Sequence, residues 1–96
     1  MIYLVTDDLL KQFKDKMHIF HDGEDDNLKE LLSFSIAFVE SKIGKFDIKK
    51  HTKARELVFE RARYAYNDAL EYFEDNFLSE IISLSLEMAG DEDVEE

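Results

Sequence analysis

The sequence predicts an all-α fold, a small antiparallel bundle of about four helices around a long central helix at residues 53–75. Three observations lead to this prediction. Three long segments repeat apolar residues at helical spacing, about 3.6 residues per turn. The 96 residues include no proline, and the three glycines fall in a turn or at the expected end of a segment. The connections are short, which favours antiparallel neighbours.

The central helix at residues 53–75 has the longest consistent period in the chain. Its apolar side chains spread over more than half of the helix circumference. Its polar side chains fill a narrow sector that contains Glu56, Glu60 and Arg63. A helix that is apolar over so much of its surface is surrounded by other elements. We therefore expect this helix to be the central post of the domain.

Capping residues and helix ends place the other elements. The expected caps are Thr6 for the first helix, Asp25 or Asp26 for the second, Thr52 for the central helix and Asn76 for the fourth. The expected ends are near Lys16, at about Ile43 with Gly44 as a left-handed cap, at Asp75, and at Gly90. The sequence leaves open whether the chain kinks or breaks between Asp75 and Asn76, and so whether the fourth helix is separate from the third.

The charge is strongly acidic and unevenly distributed. The net charge is −11, and residues 76–96 carry seven acidic residues and no basic one. We expect residues 1–90 to form one helical domain and residues 91–96 to be a disordered acidic tail. Such a protein is repelled by nucleic-acid phosphates, which disfavours DNA binding. No apolar run is long enough to cross a bilayer and no signal peptide is evident, so we expect a soluble, intracellular protein.

The residues whose side chains could react or bind a metal do not form a catalytic or metal-binding motif. His18 and His21 lie near four acidic residues, but their spacing fits neither a calcium loop nor a zinc signature, so a solvated loop is favoured. His51 is also expected to be a loop residue. No nucleophile–base pattern or phosphate-binding loop is present, and there is no cysteine. We therefore predict neither an enzyme nor a cofactor.

Two charged residues fall inside the apolar arc of the predicted central helix. Arg61 and Asp68 are each costly there unless they are paired or reach water. They either lie at the edge of the arc with their charged ends in solvent, or they belong to a subunit interface. The two interpretations have about equal weight. Phe46 and Ile48, in a basic loop at residues 45–51, are the other candidates for an interface.

Four stretches of the sequence share the pattern of a known family: residues 2–11, 22–32, 36–44 and 61–73. Residues 2–11 are a short apolar segment followed by Thr, acidic residues, Leu and Lys, and residues 22–32 are an acidic segment that leads into a leucine-rich helix. Residues 36–44 are the apolar end of that helix, closed by a glycine, and residues 61–73 are a helix rich in Arg, Tyr and Ala. Together they resemble the small head–tail connector (adaptor) family of long-tailed phages and prophages. The C-terminal part departs from that family, which often has a segment with Pro and Arg there.

The resemblance implies an all-α virion subunit that forms a ring beneath the portal. Such a ring extends the DNA channel and docks the next connector or the tail. The implied partners are further copies of the chain, the portal protein, and the next connector or tail-completion protein. DNA passes through without specific binding, and no membrane is involved. The implied location is the head–tail interface of the virion, and the host cytoplasm before assembly.

The alternative is a small acidic inhibitor or DNA mimic that binds a nucleic-acid enzyme. A mimic needs carboxylates along an exposed face. The largest acidic excess lies in the expected tail instead, which disfavours this alternative.

Overall fold

The structure is a computed structural model that describes the backbone of residues 5–94 and the side chains of residues 5–90. Four α-helices follow one another: α1 Asp7–Met17, α2 Asp25–Ile43, α3 Thr52–Tyr66 and α4 Phe73–Val94, with a 3-10 turn at Leu70–Tyr72. No β-strand occurs within residues 5–94, which confirms the all-α prediction. The lead at residues 1–4 lies outside the described residues.

The first two helices lie close to their predicted ranges. The Leu9 N–H donates to Thr6 Oγ1 at 3.1 Å, so Thr6 caps α1 as predicted. The predicted cap of α2 by Asp25 or Asp26 is wrong, because both lie in its first turn and the residue before them, Glu24, makes no side-chain capping bond. Acidic residues in that first turn still favour the helix by interacting with its dipole.

Gly44 ends α2 with a positive φ, as expected, but not with the predicted conformation. Its φ is 94° and its ψ is 174°, so it lies outside the left-handed helical region. The Gly44 N–H donates to the Glu40 carbonyl at 2.9 Å, which satisfies one carbonyl at the helix end. The positive φ favours glycine at this position.

The cap of α3 is His51, and the prediction of Thr52 was wrong. The Ala54 N–H donates to His51 Nδ1 at 3.2 Å, and Thr52 is already the first residue of the helix. An imidazole nitrogen with a free lone pair can replace the hydroxyl or carboxylate oxygen of a usual cap. His51 was expected to be an ordinary loop residue, so its position at the helix start is new information from the structure.

The predicted central helix ends nine residues early. Helix α3 stops at Tyr66, and the chain turns through Asp68, whose φ is 61°. The Ala69 N–H donates to the Tyr64 carbonyl at 2.8 Å, which closes the helix end. Aspartate is one of the few residues that adopt a positive φ without large strain, so the turn needs no glycine. The third and fourth helices are therefore separate, and α4 begins at Phe73 rather than after Asn76.

Helix α4 is longer than predicted at both ends. It continues past Gly90 to Val94, so residues 91–94 of the predicted disordered tail have helical backbone. A glycine inside a helix costs about 1 kcal/mol relative to alanine and does not by itself end it. Glu95 and Glu96 lie outside the described residues.

The core is formed where all four helices meet. Helices α2 and α3 form an antiparallel pair, since Arg61 contacts Ser35 and Tyr66 contacts Glu24. Helix α1 contacts this pair, and its Phe13 ring lies 5.7 Å from the Phe59 ring of α3. The largest fully buried side chains are Phe13, Phe73, Leu28, Leu32, Val39, Val58, Ser33 and Ser35.

An aromatic cluster joins α4 to α2 and α3. The Phe73 ring lies 6.0 Å from Phe38 of α2, 5.5 Å from Tyr64 of α3 and 4.8 Å from Phe77 one turn further along α4. Phe73 is 1% exposed. Edge-to-face and offset contacts of this kind add to the energy of burial. The cluster therefore fixes the start of α4 against the α2–α3 pair.

Lys14 ties α1 to the start of α2. Its Nζ lies 2.7 Å from Asp25 Oδ1 and 3.2 Å from Asp22 Oδ1. The hydrogen bond to Asp25 is the main cause that raises the pKa of Lys14 above its ordinary 10.5, with Asp22 adding to the effect and burial opposing it. The charged form of Lys14 is therefore stabilised by folding.

A lysine whose pKa is raised by folding makes the protein less stable at high pH. Its contribution is fully present below pH 10.5 and is lost as the pH rises through the raised pKa of the folded state. We expect Lys14→Met to lower the melting temperature at pH 8 and to have a smaller effect at pH 11.5. Lys11→Met, at a side chain that is 77% exposed, is the control. Thermal melts that show equal effects of Lys14→Met at both pH values would contradict this.

Candidate interaction surface

The outward face of α4 carries a row of large apolar side chains. Leu78, Ile82 and Leu86 are 48%, 50% and 68% exposed, and they are spaced four residues apart. They share one side of the helix and extend about 12 Å along it. We call these three residues the outer stripe. The opposite face of α4 buries Phe73, Ile81 and Leu84 in the core, so the helix is apolar on two sides.

The side chains around the outer stripe are small and uncharged. On a helical projection Ser79, Ser85 and Ala89 share its sector, and between Leu78 and Ala89 that sector contains no charged residue. A helix face that only meets water usually carries charged and polar side chains. A contiguous apolar row on the surface is typical of a site that contacts another protein.

A groove runs between α3 and α4, and none of the three outer-stripe residues lines it. Its volume is about 450 Å³, and Leu57, Phe77 and Leu84 supply its apolar lining. Four carboxylates and one ammonium group also line the groove: Glu56, Glu60, Glu80, Glu87 and Lys53.

Three of the groove carboxylates already have cationic partners. Glu56 Oε1 lies 3.0 Å from Lys16 Nζ. Glu60 Oε1 lies 2.6 Å from Arg63 Nη2. Glu87 Oε2 lies 3.2 Å from Lys53 Nζ. The groove is therefore acidic in composition but largely compensated in charge.

The loop at residues 45–51 forms a basic surface, which we call the basic loop. Lys45, Lys49 and Lys50 are exposed, whereas Phe46 and Ile48 are partly buried and pack against the core. Arg55 Nη1 donates to the carbonyls of Ile48 and Lys49, each at 3.3 Å, and so holds the loop against the start of α3. Phe46 and Ile48 thus anchor the loop with one part of their surface and leave another part accessible. Their place in an interface stays a prediction.

The structure separates the other two candidates, Arg61 and Asp68. Asp68 follows the end of α3 in an exposed turn, so the prediction that both residues lie on one helix was wrong. Arg61 is partly buried; its Nη1 donates to Ser35 Oγ at 3.2 Å, and its guanidinium carbon lies 4.6 Å from the centre of the Phe38 ring. Burial lowers the pKa of Arg61. Arg61 therefore has partners inside its own chain.

We expect Arg61→Ala to destabilise the isolated chain by about 1–2 kcal/mol, because it removes a cation–π contact and leaves the buried Ser35 hydroxyl without its partner. Arg61→Lys, which keeps the charge but not the planar group, should recover only part of this. Urea unfolding of Arg61→Ala, Ser35→Ala and the double variant measures the coupling. Additive losses would show that the Arg61–Ser35 contact contributes nothing.

The histidine-rich connection between α1 and α2 has a local structural role. His18 ends α1 with a φ of 60°. His21 Nδ1 accepts a hydrogen bond from the Gly23 N–H at 3.3 Å, and His21 Nε2 lies 3.8 Å from Glu24 Oε2. Across the described side chains, no group of three His, Cys, Asp or Glu residues is placed to hold a metal ion.

None of the helices in residues 5–94 is long and apolar enough to cross a bilayer.

The outer stripe was not recognised in the sequence. The sequence pattern predicts a fourth helix whose apolar residues do not include Leu86 and are not divided into two rows: Phe77, Leu78, Ile81, Ile82, Leu84, Met88 and Ala89. The signal was present as two separate rows with a spacing of about four residues. One row is buried and the other is exposed.

In comparisons with known proteins, no family model, no curated protein and no solved structure matches this chain.

Proposed function

We propose that this protein is a structural, non-catalytic subunit of the head–tail connector of a long-tailed phage or prophage. In this role several copies form a ring beneath the portal, extend the DNA channel and dock the next connector or the tail. Two lines support the proposal: the resemblance of four sequence stretches, and the outer stripe of α4. The outer stripe is the observation that carries the proposal, because three exposed apolar side chains in one row are typical of a surface that contacts another protein.

Helix α4 leaves the three large apolar side chains of the outer stripe exposed. Its inner face is complete, with Ile81 5% and Leu84 4% exposed, so the outer stripe is not needed for the fold of the chain. Each apolar side chain removed from water contributes about 1.5–3 kcal/mol when it is fully buried. Leu78, Ile82 and Leu86 are already partly covered, and the rest of this gain is obtained only when a second protein covers them.

The charge of the chain agrees with a position beside moving DNA. With a net charge of −11, the subunit repels the phosphate backbone and does not retain DNA that passes through a channel. We expect no measurable binding to duplex DNA at physiological salt.

The DNA-mimic alternative has less support from the described side chains. A mimic presents free carboxylates to the enzyme that it blocks. Around the α3–α4 groove, Glu56, Glu60 and Glu87 instead form ion pairs with Lys16, Arg63 and Lys53. Pairing of this kind cancels much of the local negative potential.

The proposal is tested in a bacterial strain that carries this gene and produces tailed phage particles. Portal, capsid and tail genes are expected as its neighbours. Purified particles should contain the chain, and immunogold labelling should place it at the junction of head and tail. Deletion of the gene should give filled heads that lack tails, and a plasmid copy should restore the tails. Complete particles that form without the chain would contradict the proposal.

A further inference from the structure

Charge is segregated along this chain. The sequence of α4, residues 73–94, carries seven acidic residues and no basic one. Residues 45–55 carry five basic residues and one acidic residue. These two regions are complementary in charge, and each also offers apolar surface.

Within one copy, few of the opposite charges in these two regions pair with each other. Lys53 pairs with Glu87 across the α3–α4 groove at 3.2 Å. Lys45, Lys49 and Lys50 are exposed, and none of them forms an ion pair with any described side chain. The outer stripe also stays uncovered, since all three of its side chains are about half exposed or more. Both surfaces are therefore available to a second molecule.

We propose that the outer stripe of α4 in one copy docks against the basic loop of a second copy of this chain. This inference rests on the assembly role proposed above and names the contact that builds the ring. The accessible parts of Phe46 and Ile48 would cover Leu78, Ile82 and Leu86. The lysines of the basic loop would approach the carboxylates of the neighbouring α4, such as Asp75.

Charge complementarity favours this head-to-tail contact over a symmetric one. A symmetric contact between two α4 helices would bring together two helices that carry only acidic charges, among them Asp75 in the sector of the outer stripe, and no basic residue. The head-to-tail contact brings opposite charges together, which favours association even between molecules of the same net sign. Because it uses two different surfaces of each copy, it repeats from copy to copy and gives a ring if it closes.

Two variants test this docking, one with an altered outer stripe and one with an altered basic loop. The stripe variant carries Leu78→Gln, Ile82→Gln and Leu86→Gln, at exposed positions where glutamine keeps a good helix propensity. The loop variant carries Lys49→Glu and Lys50→Glu. The controls are Leu70→Gln, at an exposed leucine outside the stripe, and Lys11→Glu, at an exposed lysine outside the loop. Circular dichroism checks that every variant is folded.

Sedimentation velocity over micromolar to millimolar concentrations gives the readout. We expect the unaltered chain to self-associate, and the association to weaken as salt is added. Each variant alone should associate at least about tenfold more weakly, and the controls should behave like the unaltered chain. An equal mixture of the two variants should form a heterodimer and nothing larger, because each retains one intact surface.

Three results would overturn the inference: an unaltered chain that stays monomeric, a loop variant that associates normally, or a mixture that forms no heterodimer. These results are separate from the particle experiment. If the chain is present at the head–tail junction but the variants do not complement each other, the connector role stands and the docking arrangement fails. If the variants complement each other but particles lack the chain, the connector role fails.

Discussion

Phe73→Ala is expected to lower the free energy of unfolding of the isolated chain by about 3–5 kcal/mol, the usual cost of truncating a buried phenylalanine. The Phe73 ring is 1% exposed and contacts aromatic rings of α2, α3 and α4. Its removal opens a cavity where three helices meet. Since small domains have only about 5–15 kcal/mol of stability, much of the fold would be lost.

Urea unfolding followed by circular dichroism measures this loss. Leu78→Ala is the matched control, because it truncates an exposed apolar residue of the same helix. It should change the free energy of unfolding by less than about 0.5 kcal/mol. Equal effects of the two substitutions would show that α4 is not fixed through the aromatic cluster.

The stripe variant, with glutamine at residues 78, 82 and 86, is expected to keep the fold and lose assembly. Each altered side chain is about half exposed or more, so each substitution should change stability by less than about 0.5 kcal/mol. Filled heads should accumulate without tails in cells whose only copy of the gene is this variant. The physical reason is that the apolar area that stabilises the contact is gone.

Leu70→Gln is the control for the assembly experiment, because Leu70 is 41% exposed but lies in the 3-10 turn before α4. It should support normal particle production. A normal yield of complete particles from the stripe variant would show that the outer stripe is not an interface. Particle counts by electron microscopy distinguish the two outcomes.

The sequence determined those elements for which local chemistry and apolar period agree. Thr6, with acids in the next turn, marks the start of α1, and Gly44 marks the end of α2. In these places a capping or terminating residue coincides with a change in the apolar pattern. Both helices accordingly lie within two residues of the predicted range.

The break between α3 and α4 is hidden because the apolar spacing continues through it. Leu70 and Phe73 extend the period of α3, although the chain has already turned at Asp68. No glycine or proline marks the turn, and Asp68 adopts the positive φ itself. Period alone does not distinguish one bent or broken segment from one straight helix.

The candidate surface was predicted only in part, because the solvent exposure of a side chain depends on how the helices pack together. Arg61 looked unpaired on a helical projection, but α2 supplies Ser35 and Phe38 as its partners. The outer stripe of α4 looked like core, since leucine and isoleucine at helical spacing usually belong to a core. Only the packing of α4 against its neighbours decides which of its two apolar rows is covered.

Burial of the outer stripe in assembled particles is the most direct test of the proposed role. The chain has no cysteine, so a single Leu86→Cys substitution gives a unique site for maleimide labelling. We predict rapid labelling of the isolated subunit and strong protection in purified particles, whereas Lys11→Cys, at an exposed position on α1, labels in both. Equal labelling of the Leu86→Cys variant in the free subunit and in particles that contain the chain would contradict the account.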